Sequence, residues 1–334
     1  GRGRTMRWWW PGRRTHPARA GTVNDREVTE VDDLVARARR GEPRAVARLI
    51  SWVEDGSRLL PEVLARLPSR GQVFVIGLTG SPGVGKSTMT SALVSAYRAR
   101  HQRVGVLAVD PSSPFSGGAL LGDRIRMQDH ATDEGVFIRS MASRGHLGGM
   151  AASTPQAVRV LEAAGCDIVL IETVGVGQSE VDVAATADAT VVILAPGMGD
   201  GIQAAKAGIL EVADIVCVNK ADRDGAESTA REIRQMLRLG ALREGWSPPV
   251  VTSVAAKGDI HDLVDALDLR HEWLSEADHL RARRRERATA EILALAQGRA
   301  RERWKARLDP EVIDGVAEGR VSPFDAADGL LSGD

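Results

Sequence analysis

The chain has 334 residues, 43% of them hydrophobic, enough to bury a full core in one large domain or in a domain with helical extensions. Its formal net charge is −1, so no global field favours nucleic acid or an anionic membrane, and neither is expected as a partner. No apolar run is long enough to span a bilayer, and two distant cysteines, Cys166 and Cys217, make neither a metal pattern nor a disulfide framework.

Residues 1–24 contain Arg2, Arg4, Arg7, Arg13, Arg14 and Arg19 and no acid, with Trp8, Trp9 and Trp10 running into Pro11. No apolar core of signal-peptide length is present, so the stretch reads as a disordered leader and the expected location is the cytoplasm. An organellar transit peptide is the alternative, and would place the mature protein in the mitochondrial matrix. From Val28 the pattern turns helical. Val31, Leu34, Val35 and Ala38 share one face, Gly41-Glu42-Pro43 breaks the run, Val46, Leu49, Ile50 and Val53 share a second, and Leu59 to Leu67 a third. Residues 25–70 are therefore expected to form a helical extension.

From 71 to 269 apolar runs alternate with helical stretches. The predicted strands are Val73–Leu78, Val104–Val109, Ile168–Glu172, Ala189–Leu194, Ile215–Asn219 and Pro249–Thr252. Near-continuous apolar runs of this kind indicate an α/β fold, its mostly parallel sheet covered on both faces. Ligands of such sheets sit at the carboxyl ends of the strands, so each polar motif should follow a strand. Residues 270–334 change character: Arg281 to Arg287 is almost wholly charged, then Ile292, Leu293 and Leu295 recur at helical spacing. A solvated helix and a helical arm that packs on a second subunit both fit.

Gly80-Ser81-Pro82-Gly83-Val84-Gly85-Lys86-Ser87 has the G-x-x-x-x-G-K-S pattern between a predicted strand and a helix beginning Ser87-Thr88. Glycines let the backbone amides of Gly83, Val84 and Gly85 approach a phosphate, and the helix N-terminus adds its dipole. Lys86 would reach the β- and γ-phosphates, and the Ser87 hydroxyl would face Mg²⁺. Asp110, ending the second strand, can face the metal shell or the attacking water; Asp123, beyond a glycine-rich stretch, is a second candidate. The strand Ile168–Glu172 ends in an acid with Gly175 three residues on, where P-loop nucleoside triphosphatases hold Mg²⁺ and meet the γ-phosphate. Glutamate stands there instead of the usual aspartate.

Asn219-Lys220-Ala221-Asp222 follows a strand and has the N-K-x-D pattern. Asp222 can accept from guanine N1 and N2, a donor pair adenine lacks, and a site built for such groups rejects the analogue without them. Lys220 would lie along the base and Asn219 would tie the loop to the phosphate loop. Ser253-Val254-Ala255 after the last strand is similar to the loop whose backbone amides meet guanine O6. The nucleotide is thus expected to be GTP.

With these motifs in place the chain resembles the MeaB/ArgK-type G proteins, chaperones of adenosylcobalamin-dependent methylmalonyl-CoA mutase. The resemblance rests on Gly80–Ser87, Asp110-Pro111-Ser112-Ser113, Gly122-Asp123-Arg124, Arg139-Ser140-Met141, Arg144-Gly145, Glu172 through Gln178, and Asn219–Asp222. It implies a P-loop G domain with a helical N-terminal extension and a helical C-terminal dimerisation arm over 270–334. Lys86, Ser87, Asp110, Asp123 and Glu172 are implied as the Mg·GTP and hydrolysis set. Pro196 through Lys206 is implied as an extra switch loop in which Asp200, Gln203 and Lys206, with Gly175 and Gln178, relay contact with the mutase. A cobalamin adenosyltransferase is a second partner that the resemblance allows. Two other activities share the fold or the family's older label. A nickel-insertion GTPase would need a ligand cluster that the seven scattered histidines do not offer. A transport-linked kinase would need a phosphoacceptor motif, and none is visible.

Overall fold

Phe74–Thr79 forms β1, all six residues buried, at the middle of a seven-stranded sheet. The other strands are β2 (Val104–Pro111), β3 (Val136–Ser143), β4 (Ile168–Thr173), β5 (Ala189–Leu194), β6 (Ile215–Val218) and β7 (Val250–Thr252). Their order is β3-β2-β4-β1-β5-β6-β7 and every pairing is parallel. This computed structural model describes residues 24–67, 73–111, 130, 132–143, 149–173, 179–197, 209–239, 245–276 and 279–332.

The order explains where a ligand belongs. From β1 the chain moves to β2 and β3 on one side, inserts β4 beside β1, then crosses to build β5, β6 and β7 on the other. The direction of growth reverses at β1, and in parallel sheets the crevice at the carboxyl ends beside such a reversal is where ligands sit. Because all strands run the same way, Gly80, Asp110, Glu172, Asn219 and Ser253 all lie at that one edge.

Helices cover both faces. α1 (Asp25–Arg39), α2 (Pro43–Glu54) and α3 (Leu60–Arg66) pack with α5 (Gly149–Ala163) and α6 (Ser179–Thr186) against one face. α4 (Lys86–Ala99) and α8 (His261–Ser275) cover the other, while α7 (Ala226–Leu239) packs beside β6 and β7. α1 opens with a reciprocal cap in which the Asn24 side chain accepts from Glu27 N–H and the Glu27 carboxylate from Asn24 N–H. Its buried residues are Val31, Leu34, Val35 and Ala38, the face that the spacing predicts. A 15-residue helix is marginal alone, so the burial of three aliphatics, worth about 1.5–3 kcal/mol each, is what holds it.

One strand departs from the sequence expectation. β3 is an edge strand whose core-facing row is Phe137, Arg139 and Met141, and the arginine interrupts the apolar run that would announce a strand. Its guanidinium is satisfied from α2, with Nη2 donating to Ser51 Oγ at 2.9 Å and Nε to Glu54 Oε2 at 3.2 Å. A charge on a core-facing row is tolerated only when paired in this way.

The C-terminal part begins with α9 (His279–Arg307) and continues through α10 (Pro310–Ala317) and α11 (Pro323–Ser332). The charged run at its start is not simply solvated. Arg283 is buried and its guanidinium donates to the carbonyls of Ala184 (2.8 Å), in the last turn of α6, and Ala187 (3.3 Å), just beyond it. Arg287 pairs with buried Asp188, and Glu291 with Arg159 of α5 at 2.6 Å. Spaced four residues apart, these three lie on one face of α9 and staple its first half to the domain. No helix of the described residues is long and apolar enough to cross a membrane.

Candidate functional site

The loop after β1 is shaped by two glycines whose surroundings leave no free space for a Cβ. Gly80 has φ +141°, and a Cβ there would lie 2.2 Å from the Ile193 carbonyl oxygen of β5. Gly85 has φ +98° as the residue capping α4, and its Cβ would lie 2.6 Å from Asn219 Nδ2. The loop therefore presses close to both β5 and the loop after β6. Lys86, the first residue of α4, is 7% exposed, and its ammonium folds over the loop to donate to Gly80 O (2.7 Å) and Ser81 O (3.1 Å). A cation and a helix N-terminus thus converge on one spot, the arrangement that binds phosphate.

Ser87 and Glu172 meet across the sheet edge. Ser87 Oγ donates to Glu172 Oε1 at 2.6 Å, and Thr90 Oγ1 lies 2.7 Å from Glu172 Oε2. Glu172 is 4% exposed and Thr90 fully buried, so the carboxylate sits in protein rather than water. Thr90 is absent from the sequence-based set of site residues. Its signal was its spacing: four residues after Lys86 and three after Ser87 on one helix, it must share their face. The pair Ser87 and Glu172 supplies hard oxygen donors side by side, the donor chemistry Mg²⁺ takes, since that ion is held by one or two carboxylates with waters and substrate phosphates. Among the described residues no cluster of three or more His, Cys, Asp or Glu side chains could form an all-protein cage for a metal ion.

The loop after β6 is wired to the one after β1. Asn219, 3% exposed, donates through Nδ2 to Val84 O at 2.9 Å, while its Oδ1 accepts from Ser253 Oγ (3.2 Å) and Ala255 N–H (3.1 Å). Lys220, at φ +58°, stretches its ammonium to Gly83 O at 2.6 Å. Asp222 is half-exposed, with Lys257 Nζ 3.2 Å from its Oδ2, and this hydrogen-bonded contact holds its carboxyl below the usual carboxylate range. The amides of Val254 and Ala255 are both engaged inside the protein, Val254 N–H donating to Asp259 O at 2.9 Å and Ala255 N–H to Asn219.

Thr88 lies on the first turn of α4, where it lines a groove of about 630 Å³ with Ala255 and Ala256. Asp110 is the penultimate residue of β2, its backbone paired in register with Ala142 of β3, while its side chain lies outside the described residues. Asp123, Gly175, Gln178, Asp200, Gln203 and Lys206 also lie outside the described residues.

A lysine folded over a glycine loop at the reversal point of a parallel sheet, bonded laterally to an Asn-Lys-Ala-Asp loop, defines a P-loop GTPase, and the chain is a GTPase of that class. The family model for "Methylmalonyl Co-A mutase-associated GTPase MeaB" matches residues 46–309. The chain belongs to that family. It is 45% identical over 311 residues to a putative GTPase of Pyrococcus abyssi, spanning 90% of this chain and 96% of that one. It is 36% identical over 335 residues to the mitochondrial methylmalonic aciduria type A homolog of Mus musculus, covering 92% of this chain and 80% of the mouse protein. Among solved structures it is similar to an LAO/AO transport system kinase, with a TM-score of 0.70 at 26% identity over 93% of this chain and 99% of the other.

Proposed function

We propose that this GTPase is Mg²⁺-dependent and acts as a chaperone of an adenosylcobalamin-dependent acyl-CoA mutase, methylmalonyl-CoA mutase in the first instance, gating cofactor loading and protecting the mutase from inactivation. The observation that carries the switch reading is the bond from Asn219 to Val84, because it makes the base loop and the phosphate loop one rigid receptor. The family's description and the mouse relative's name support the choice of client.

In this reading Lys86 leaves the carbonyls of Gly80 and Ser81 for the β- and γ-phosphate oxygens, and the amides of Gly83, Val84, Gly85, Lys86, Ser87 and Thr88 turn toward them. Ser87 and Glu172 would hold Mg²⁺, with Asp110 and Asp123 completing its shell or orienting the attacking water. The bound ion would neutralise charge on the phosphates. Asp222 stays ionised beside Lys257 and accepts from guanine N1 and N2, while Lys220 backs the base. Gly175, Gln178, Asp200, Gln203 and Lys206 belong to the loops that partner contact remodels. Cobalamin enters as the client's cofactor, and a cobalamin adenosyltransferase is a second partner that this cycle could engage.

The same reading assigns residues 270–334 to a homodimer through the C-terminal helices. It is supported by where most of the large exposed hydrophobic side chains lie: among the described residues all but Leu269, namely Ile292, Leu293, Trp304, Leu308, Ile313, Phe324 and Leu331, project from this arm or its connections. Exposed apolar side chains grouped in this way mark an interface. We place the protein in the cytoplasm.

No arginine is assigned to the phosphates, so intrinsic turnover should be slow and rise with the client present. Steady-state GTP hydrolysis measured with and without saturating methylmalonyl-CoA mutase tests this, and an unchanged rate would refute the gating mechanism. The name of the similar solved structure makes one control worthwhile. Label from γ-phosphate should appear as free phosphate, and label retained on protein would favour a kinase.

A further inference from the structure

Glutamate in place of aspartate at position 172 creates a positioning problem. The longer side chain carries one more rotatable bond, and each free torsion on a buried, long side chain must be fixed at an entropic cost before the carboxylate is useful. Two hydroxyls from one helix fix it: Ser87 on Oε1 at 2.6 Å and Thr90 on Oε2 at 2.7 Å. A carboxylate can only accept, so each hydroxyl must donate.

Thr90 also lies 3.0 Å from the Lys86 carbonyl, the ordinary back-bond of a threonine in a helix. Its hydroxyl has a single proton, and the shorter contact to an ionised acceptor takes it, because charge-assisted bonds are roughly twice as strong as neutral ones. Ser87 and Thr90 then divide the work. Ser87 gives its proton to Oε1 and keeps its lone pairs for a cation; Thr90 is fully buried, and the carboxylate is the one side chain its hydroxyl is hydrogen-bonded to, beside the Lys86 carbonyl of its own helix.

We infer that Thr90 is a positioning residue for GTP hydrolysis, holding Glu172 so that its other oxygen faces the metal side of the phosphate loop. This rests on the Mg·GTP reading of the site. The test uses the full chain and four variants: Thr90→Val, Thr90→Ser, Glu172→Gln and the double variant Thr90→Val/Glu172→Gln. Two quantities are read, kcat and KM for GTP, and separately the Mg²⁺ concentration that half-maximally slows release of fluorescent GDP.

Losing one hydrogen bond to a charged group predicts a fall of about ten- to a hundredfold in kcat for Thr90→Val, with KM changing less than about threefold. The Mg²⁺ concentration for GDP retention should rise about tenfold. Thr90→Ser should recover most of both, and the double variant should be no worse than Glu172→Gln, since the two residues act as one unit. Wild-type kinetics in Thr90→Val, no recovery in Thr90→Ser, or losses that multiply in the double variant would overturn the assignment. Thr90→Ala replaces Thr90→Val if the latter does not fold. Absence of Mg²⁺-dependent hydrolysis in the wild type, or full activity in Glu172→Gln, would instead overturn the underlying reading and the inference with it.

Discussion

Asn219 Nδ2 donates to Val84 O across 2.9 Å, so one buried side chain joins the loop after β6 to the loop after β1. The same residue accepts from Ser253 and Ala255 and thereby reaches the loop after β7. Three segments distant in sequence are held by one amide. In Asn219→Ala the Val84 carbonyl and the Ala255 amide lose this buried partner together, at about 1–3 kcal/mol for each left unsatisfied, while the Ser253 hydroxyl keeps Cys217 Sγ at 3.1 Å. Affinity for GTP and for GDP should fall by similar factors, at least about tenfold, because the γ-phosphate is remote from the break. Titration with fluorescent GDP and a GTP analogue checks it. A loss confined to one nucleotide would contradict the role assigned to Asn219.

The glycines of the phosphate loop should rank in a definite order. Gly80→Ala drives a Cβ into the Ile193 carbonyl, backbone that cannot yield, at a φ that L residues avoid. Gly85→Ala meets the Asn219 amide, a side chain that can shift only by giving up its bond to Val84. A Cβ on Gly83 meets nothing within 4 Å and bears only the strain of φ +83°, about 1 kcal/mol. Thermal unfolding of the three alanine variants should therefore show the largest drop for Gly80, then Gly85, then Gly83. An equal drop at all three would mean that φ alone, and not close approach, selects glycine here.

Much of this architecture was legible because it rests on simple patterns. Six of the seven strands are near-continuous apolar runs, all buried over their described side chains except the half-buried edge strand β7, and each of the strand-end motifs follows one of them. β3 escaped because Arg139 stands on its core-facing row, paired with Glu54 and Ser51 of a helix about 85 residues earlier, a long-range compensation that periodicity does not register. The charged start of α9 misled in the opposite sense, since Arg283 is buried against the end of α6. Within the site, the glycines, Lys86, Ser87, Glu172 and Asn219 carry motif signals. Thr90 carries none beyond helical spacing, and its importance appears only when β4 is laid beside α4. The engagement of the Val254 and Ala255 amides likewise depends on how the last loop folds back on Asp259 and Asn219.

The root of the C-terminal arm provides a third test. Asp188 is 1% exposed and accepts from Val75 N–H and from Arg287. In Asp188→Asn the charge is lost while Arg287 remains partly buried, and breaking a buried pair by removing one partner costs about 3–5 kcal/mol. The loss should be local first, because Arg287 holds α9 to the end of α6. Hydrogen exchange should speed up across residues 279–291 well before it does in β1 or β4. Uniform acceleration through the sheet would show that Asp188 supports the global fold rather than the arm.

Both cysteines make a prediction about alkaline stability. Burial pushes the thiols of Cys166 and Cys217 up to about 12, although Ser253, 3.1 Å from Cys217 Sγ, partly offsets the shift for the latter. A thiol in the unfolded chain ionises near pH 8.5. Below that both states hold the proton and stability is unaffected by pH. Between about 8.5 and 12 the unfolded state releases protons that the native state keeps, so unfolding becomes more favourable by about 1.4 kcal/mol per pH unit for each thiol. Urea midpoints should therefore decline from pH 8 to pH 10, and the decline should be shallower in Cys166→Ala/Cys217→Ala than in the wild type. Neither thiol should react with a disulfide reagent until the protein unfolds, since the thiolate is the nucleophile and burial suppresses it. Rapid native-state labelling of Cys217 would mean that the loop bearing Asn219 opens far more readily than its hydrogen bonds imply.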